Sequence, residues 1–135
     1  MTPASDLRRR WVATLEKHAP WLLAVYLLVL FSATHYPQDL LAAAPVNGTD
    51  KILHVLSYAL TAALVTMRVR GLSPGVTIVV ATLITIAIGL FDEVTQPIFN
   101  RMYDPLDLAA DLVGAVVGSW AWLSIRRAAA EAQQA

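Results

Sequence analysis

Four apolar runs, residues 19–36, 52–67, 75–91 and 106–125, approach the roughly 20 residues that cross a bilayer's hydrocarbon at 1.5 Å per residue. Together they take up most of the chain. Inside hydrocarbon every backbone N–H and C=O must be satisfied within the segment, so each run is expected to be a helix. The composition agrees: 57% of residues are hydrophobic and 15% are charged, whereas a soluble domain carries about 25% charged residues. The expected fold class is an all-α membrane protein, a four-transmembrane-helix bundle. The first and third runs are the clearest, but the second contains His54 and Tyr58 and the fourth contains Asp107 and Asp111. Those two must turn a polar stripe toward protein, because an ionisable group at bilayer depth costs roughly 2.5–3.5 kcal/mol on insertion scales.

Basic residues set the orientation. On a four-span path Arg8, Arg9, Arg10, Lys17, Arg68, Arg70, Arg126 and Arg127 share one side, against Lys51 and Arg101 on the other. The positive-inside rule then places both termini in the cytoplasm. Acids run the opposite way: Asp39, Asp50, Asp92, Glu93, Asp104, Asp107 and Asp111 fall outside, and Asp6, Glu16 and Glu131 inside. A net charge of zero therefore divides into about −5 outside (two bases, seven acids) and +5 inside (eight bases, three acids). A cleaved signal peptide is the competing reading of the first run; Pro45, directly after the small residues 42–44, argues for retention. The organisation expected is a cytoplasmic or interfacial segment over 1–18, a four-helix membrane domain over 19–125 and a cytoplasmic tail over 126–135. With no cysteine the chain has neither disulfide nor thiolate site.

Local signals add detail. Leu7, Trp11 and Leu15 are spaced i, i+4, i+8 among arginines, which suits either a short helix at the inner interface or the charged lead-in to the first span. Residues 37–50 form a proline-bounded loop ending in an Asn47-Gly48 turn, with Thr49 or Asp50 as the cap of the second span. Asn47-Gly48-Thr49 also matches the glycosylation acceptor pattern, which requires a eukaryotic secretory source to matter. Ser73-Pro74 starts the third span, and Pro97, which has no N–H for the carbonyl of Glu93, is expected to kink or stop it.

The polar residues align by helical spacing. Lys51, His54, Tyr58 and Thr61 follow i, i+3, i+7, i+10; Thr82, Gly89, Glu93, Gln96 and Asn100 are spaced 7, 4, 3 and 4; Asp107, Asp111, Gly114 and Gly118 are spaced 4, 3 and 4. Gly114-x-x-x-Gly118 is a small-xxx-small contact on the face of the two aspartates, so the acids are expected to point into the bundle and form an outward-opening pocket. Each residue has a plainer reading: His54 as a hydrogen-bonded packing residue, Glu93 and Gln96 as interfacial caps, Arg101 as a loop charge clamping Asp104 or Asp107. Asp92 is expected to serve the interface, and His18 and His35 stand alone at span ends. His54 with Glu93, Asp107 and Asp111 could hold a divalent ion through mixed nitrogen and oxygen ligands, but with one well-placed histidine and no H-x-x-x-H or H-E-x-x-H pair, no metal and no cofactor are expected. Basic residues along the inner surface are explained by anionic lipid, so no nucleic-acid partner is expected.

The blocks K-I-L-H-V-L-S-Y-A-L at 51–60, D-E-V-T-Q-P-I-F-N-R at 92–101 and L-D-L-A-A-D-L-V-G-A-V-V-G at 106–118 together resemble VanZ-like membrane proteins, over roughly residues 20–125. Lys51, His54, Glu93, Gln96, Arg101, Asp107, Gly114 and Gly118 occupy positions matching that family's pattern, while Asp111 stands where the family usually has asparagine. The resemblance implies a multi-pass protein of a bacterial plasma membrane and reduced susceptibility to teicoplanin-type lipoglycopeptides. Its site is expected to comprise Lys51, His54, Tyr58, Glu93, Gln96, Arg101, Asp107 and Asp111, binding an amphiphile or lipid-linked headgroup in the outer leaflet, with Gly114 and Gly118 as packing residues. The partners are then membrane lipids, a lipid-linked cell-wall precursor or a lipoglycopeptide, and a second copy of the chain. Two readings of other classes stand beside it. One is an intramembrane enzyme on a lipid-linked precursor, with His54 and Glu93 as acid and base. The other is a proton-coupled transporter, four spans then requiring a dimer.

Overall fold

The computed structural model describes residues 3–36, 49–100 and 104–132. Within them the chain is helical, with no strand: α1 Pro3–Thr34, α2 Thr49–Thr66, α3 Pro74–Thr95, a 3-10 turn Gln96–Phe99, and α4 Pro105–Glu131. The helices run up and down, so the end of α1, the start of α2, the end of α3 and the start of α4 meet at one end of the bundle. By length and composition three of them suffice to cross a membrane, α1 from Ser5, α3 with its 3-10 extension, and α4. The 18-residue α2 opens with Asp50, Lys51 and His54 in its first two turns.

α1 runs unbroken across the boundary expected at residue 18, so 5–17 is not a separate interfacial helix. Pro20 lies inside it and leaves the carbonyl of Glu16 without its usual donor. Arg68 Nη1 approaches that carbonyl to 3.5 Å. The Glu16 side chain also pairs with Arg70 at 2.9 Å and Arg126 at 2.8 Å, and Arg126 donates to the Thr66 carbonyl at 3.0 Å. This clamp gathers the basic end of the molecule. Beneath it Ala19, Leu64, Met67 and Trp122 form a small apolar core, with Leu15, Leu23 and Tyr26 against it.

α2 starts at Thr49, so Asp50 lies in its first turn rather than capping it; the Asn47-Gly48 turn lies outside the described residues. Ser73 and Pro74 begin α3 as expected. Pro97 ends it: the α-helix stops at Thr95 and tightens into the 3-10 turn, closed by Asn100 at a left-handed φ of 59°. α4 is capped by Asp104, whose side chain accepts from the Leu106 N–H at 2.9 Å, with Pro105 in the first turn.

The tightest contact joins α4 to α2. A Cβ at Gly114 would fall 2.3 Å from the Val55 carbonyl oxygen, and one at Gly118 1.9 Å from that of Ala59. Only glycine lets these backbones approach so closely. The interior is polar: Thr61, Thr66, Thr85, Ser119, Glu93 and Asp111 are fully buried, while Leu28, Leu56, Leu83, Val117 and Trp120 face outward. Such an arrangement suits lipid as the surrounding solvent, since in water it would leave the large apolar groups unburied.

Candidate functional site

At the end of the bundle opposite the Glu16 clamp, α2, α3 and α4 bring their acids and two bases together. α2 presents one face there by helical spacing: Tyr58 and Thr61 are buried, and Lys51 and His54 are partly buried above them. Lys51 Nζ lies 3.2 Å from Asp50 Oδ2 and 2.5 Å from Asp104 Oδ2, and it also pairs with Asp107 Oδ1. One ammonium is thus shared by three carboxylates. Of these, Asp104 precedes α4, where the Lys51 ammonium and then the Leu106 N–H hold its carboxyl below the usual carboxylate range.

His54 sits one turn deeper. Its Nδ1 donates to Asp111 Oδ1 at 2.8 Å, and its Nε2 faces Asp107 Oδ2 at 3.7 Å. Asp111 is wholly buried, and its Oδ2 has no hydrogen-bond partner among the described residues. A Cβ at Gly89 would lie 2.7 Å from that oxygen and 3.1 Å from the Tyr58 ring, so the missing side chain at 89 makes room for both. The rings of His54 and Tyr58 are parallel, 6.0 Å apart. Glu93, also fully buried, receives long contacts of 3.4 Å from the Gln96 amide and from the Asp104 N–H.

The expected site residues Lys51, His54, Tyr58, Glu93, Gln96, Asp107 and Asp111 therefore come together, and Gly114 and Gly118 pack as expected. Arg101 lies outside the described residues. Asn100 leaves the α3 stripe, because the 3-10 turn after Pro97 breaks the helical spacing and leaves it exposed. Lys51 is held by acids on three sides and is not a free cation for an anionic group.

Sequence reasoning missed a second cluster beside the first. Asp92, expected at the interface, is 4% exposed and accepts from Thr34 Oγ1 at 2.7 Å. His35 is equally buried: Nδ1 donates to the Phe31 carbonyl at 2.9 Å, Nε2 is hydrogen-bonded to Thr95 Oγ1 at 2.8 Å, and the ring stacks on Phe31. These contacts fasten the end of α1 to α3. A signal was present in the spacing, since Asp92 and Gln96 are i, i+4, and the amide reaches Asp92 Oδ2 at 3.4 Å.

Below this fastening α1 packs on α2, where the Tyr26 hydroxyl donates to the Ser57 carbonyl at 3.0 Å, and leaves a gap against α3. A cavity of about 640 Å³ lies between α1 and α3, walled by Leu27, Phe31, Ile84, Ile88 and Phe91, with Tyr58 and Asp92 at its polar edge. A second, of about 380 Å³, lies between α1 and α2 and includes Thr34, Asp50, His54 and Tyr58. Tyr58 borders both. No family model, curated protein or solved structure matches the chain.

Proposed function

We propose that this is a VanZ-like cell-envelope protein of a bacterial plasma membrane, with α2 as a fourth span, both termini cytoplasmic and the acidic end in the outer leaflet. Its role is to bind an amphiphile there. The observation that carries this reading is the apolar cavity between α1 and α3, bordered at its polar edge by Tyr58 and Asp92 and adjacent to the Lys51/His54 cluster. An acyl chain fits the former. Among the described residues the latter holds six acids, Asp50, Asp92, Glu93, Asp104, Asp107 and Asp111, against Lys51 and His54, and so favours a headgroup rich in N–H and O–H donors. The resemblance to VanZ-like proteins supplies the ligand class, a teicoplanin-type lipoglycopeptide or a lipid-linked cell-wall precursor.

The test is titration of the protein in nanodiscs with a teicoplanin-type lipoglycopeptide and with its deacylated core. Saturable binding is expected, weakened about tenfold or more by deacylation and by Ala87→Trp, which puts a large ring on the cavity wall that Ala87 lines, because each buried methylene contributes about 0.8 kcal/mol. Equal affinity for both compounds, or no saturation, would overturn the proposal.

The His54–Asp111 pair favours a second reading, an intramembrane enzyme. A carboxylate on Nδ1 fixes the tautomer and leaves Nε2 free to accept a proton from an attacking hydroxyl. Product formation from a labelled lipid-linked precursor that disappears in His54→Ala would select this reading over simple binding.

A further inference from the structure

We infer that His54, Glu93 and Asp107 form a binding site for a divalent first-row cation such as Mn²⁺ or Zn²⁺, with Asp111 and Lys51 orienting its ligands. One ligand atom from each of the three residues lies within 4.8 Å of the others, close enough for a single ion to draw them in. They come from three different helices, α2, α3 and α4. Linear spacing therefore carries no metal signature, and the absence of an H-x-x-x-H pair is uninformative here.

Several independent features point to a ligand. The donor set mixes one imidazole with two carboxylates, which suits Mn²⁺, Fe²⁺ or Zn²⁺ more than a soft metal. It is also sheltered: Glu93 is fully buried, and the side chains of His54 and Asp107 are 14% and 13% exposed. Among the described residues no cation pairs with Glu93, whose contacts are the two long ones at 3.4 Å. A buried carboxylate is normally paired or bound to a metal.

The surrounding contacts match what metal ligands require. Asp111 Oδ1 accepts the hydrogen bond of His54 Nδ1–H, so the lone pair is on Nε2, the nitrogen facing Asp107. A carboxylate behind a metal-binding imidazole is the usual orienting partner. Lys51 holds Asp107 Oδ1 and leaves Oδ2 directed at His54. Asp111 Oδ2, buried and without a partner among the described residues, adds negative potential beside the site. A second triplet, Asp50, Asp104 and Asp107, is also compact, but Lys51 already occupies its centre.

With three protein ligands the ion keeps open positions, as in sites that bind a substrate oxygen. This assignment concerns the metal alone and does not rest on amphiphile binding.

The experiment is Mn²⁺ titration of the purified chain in nanodiscs, followed by electron paramagnetic resonance, with Zn²⁺ competition and metal content by mass spectrometry. One ion per chain is expected. His54→Ala, Glu93→Gln and Asp107→Asn should each abolish saturable binding, and Asp111→Ala should weaken it 10- to 100-fold. Asp50→Asn and Asp104→Asn should leave it within about threefold, because the Lys51-centred triplet is not the site. Should the variants fold poorly, the wild-type chain alone decides: Mn²⁺ must raise its melting temperature and chelation must lower it. No saturable binding, or binding lost equally in Asp50→Asn, overturns the assignment. So does binding that appears only in Arg101→Ala, which would mean that Arg101 neutralises Glu93.

Discussion

Asp111 shows what a single residue settles. Sequence placed it on the inward face of α4 with Gly114 and Gly118, and it is fully buried there. Its partner was not legible, because a helical stripe gives direction but not which residue of a neighbouring helix it reaches. The partner is His54, at 2.8 Å. An asparagine at 111 would still offer an oxygen to Nδ1, whereas alanine would leave a buried donor unpaired at a cost of about 1–3 kcal/mol. Thermal unfolding in detergent should therefore find Asp111→Asn within about 1 kcal/mol of wild type and Asp111→Ala lower by that larger amount. Equal loss in both would mean that charge, and not the hydrogen bond, holds His54. Asp92 and His35 teach the opposite lesson: both lie at helix ends, where sequence cannot separate a solvated charge from a buried one, and their burial follows from α1 docking on α3.

Among elements, α2 and α4 form the pair on which the site is built. Their glycine contact was legible because small-xxx-small spacing has one physical use, close backbone approach. The end of α3 at Pro97 was equally legible, since a proline removes one identifiable hydrogen bond. The length of α1 was not, because the first span was expected to begin at residue 19, whereas the helix runs from Pro3 through Pro20, with Arg68 near the stranded carbonyl. Gly118→Ala would place a methyl 1.9 Å from the Ala59 carbonyl oxygen, where backbone must move. A loss of at least about 2 kcal/mol is expected, with weakened binding at the site as α4 shifts from α2. Wild-type stability in this variant would contradict the α2–α4 contact.

On the scale of the whole molecule, the chain separates its charges to two ends. Arg68, Arg70 and Arg126 gather on Glu16 and the Thr66 carbonyl, while Lys51 and His54 sit among acids at the other end. This polarity was readable from the arginine count alone, whereas the gap between α1 and α3 depends on side-chain shapes that no periodicity encodes. The account holds only if the acidic end faces outward. Because the chain has no cysteine, one introduced thiol reports a single position. Asn47→Cys falls between α1 and α2 in the chain and Leu72→Cys between α2 and α3. A membrane-impermeant maleimide applied to intact cells is predicted to label the first variant and to reach the second only after permeabilisation. Labelling of Leu72→Cys in intact cells, with Asn47→Cys protected until lysis, would invert the topology and contradict the outward-facing site.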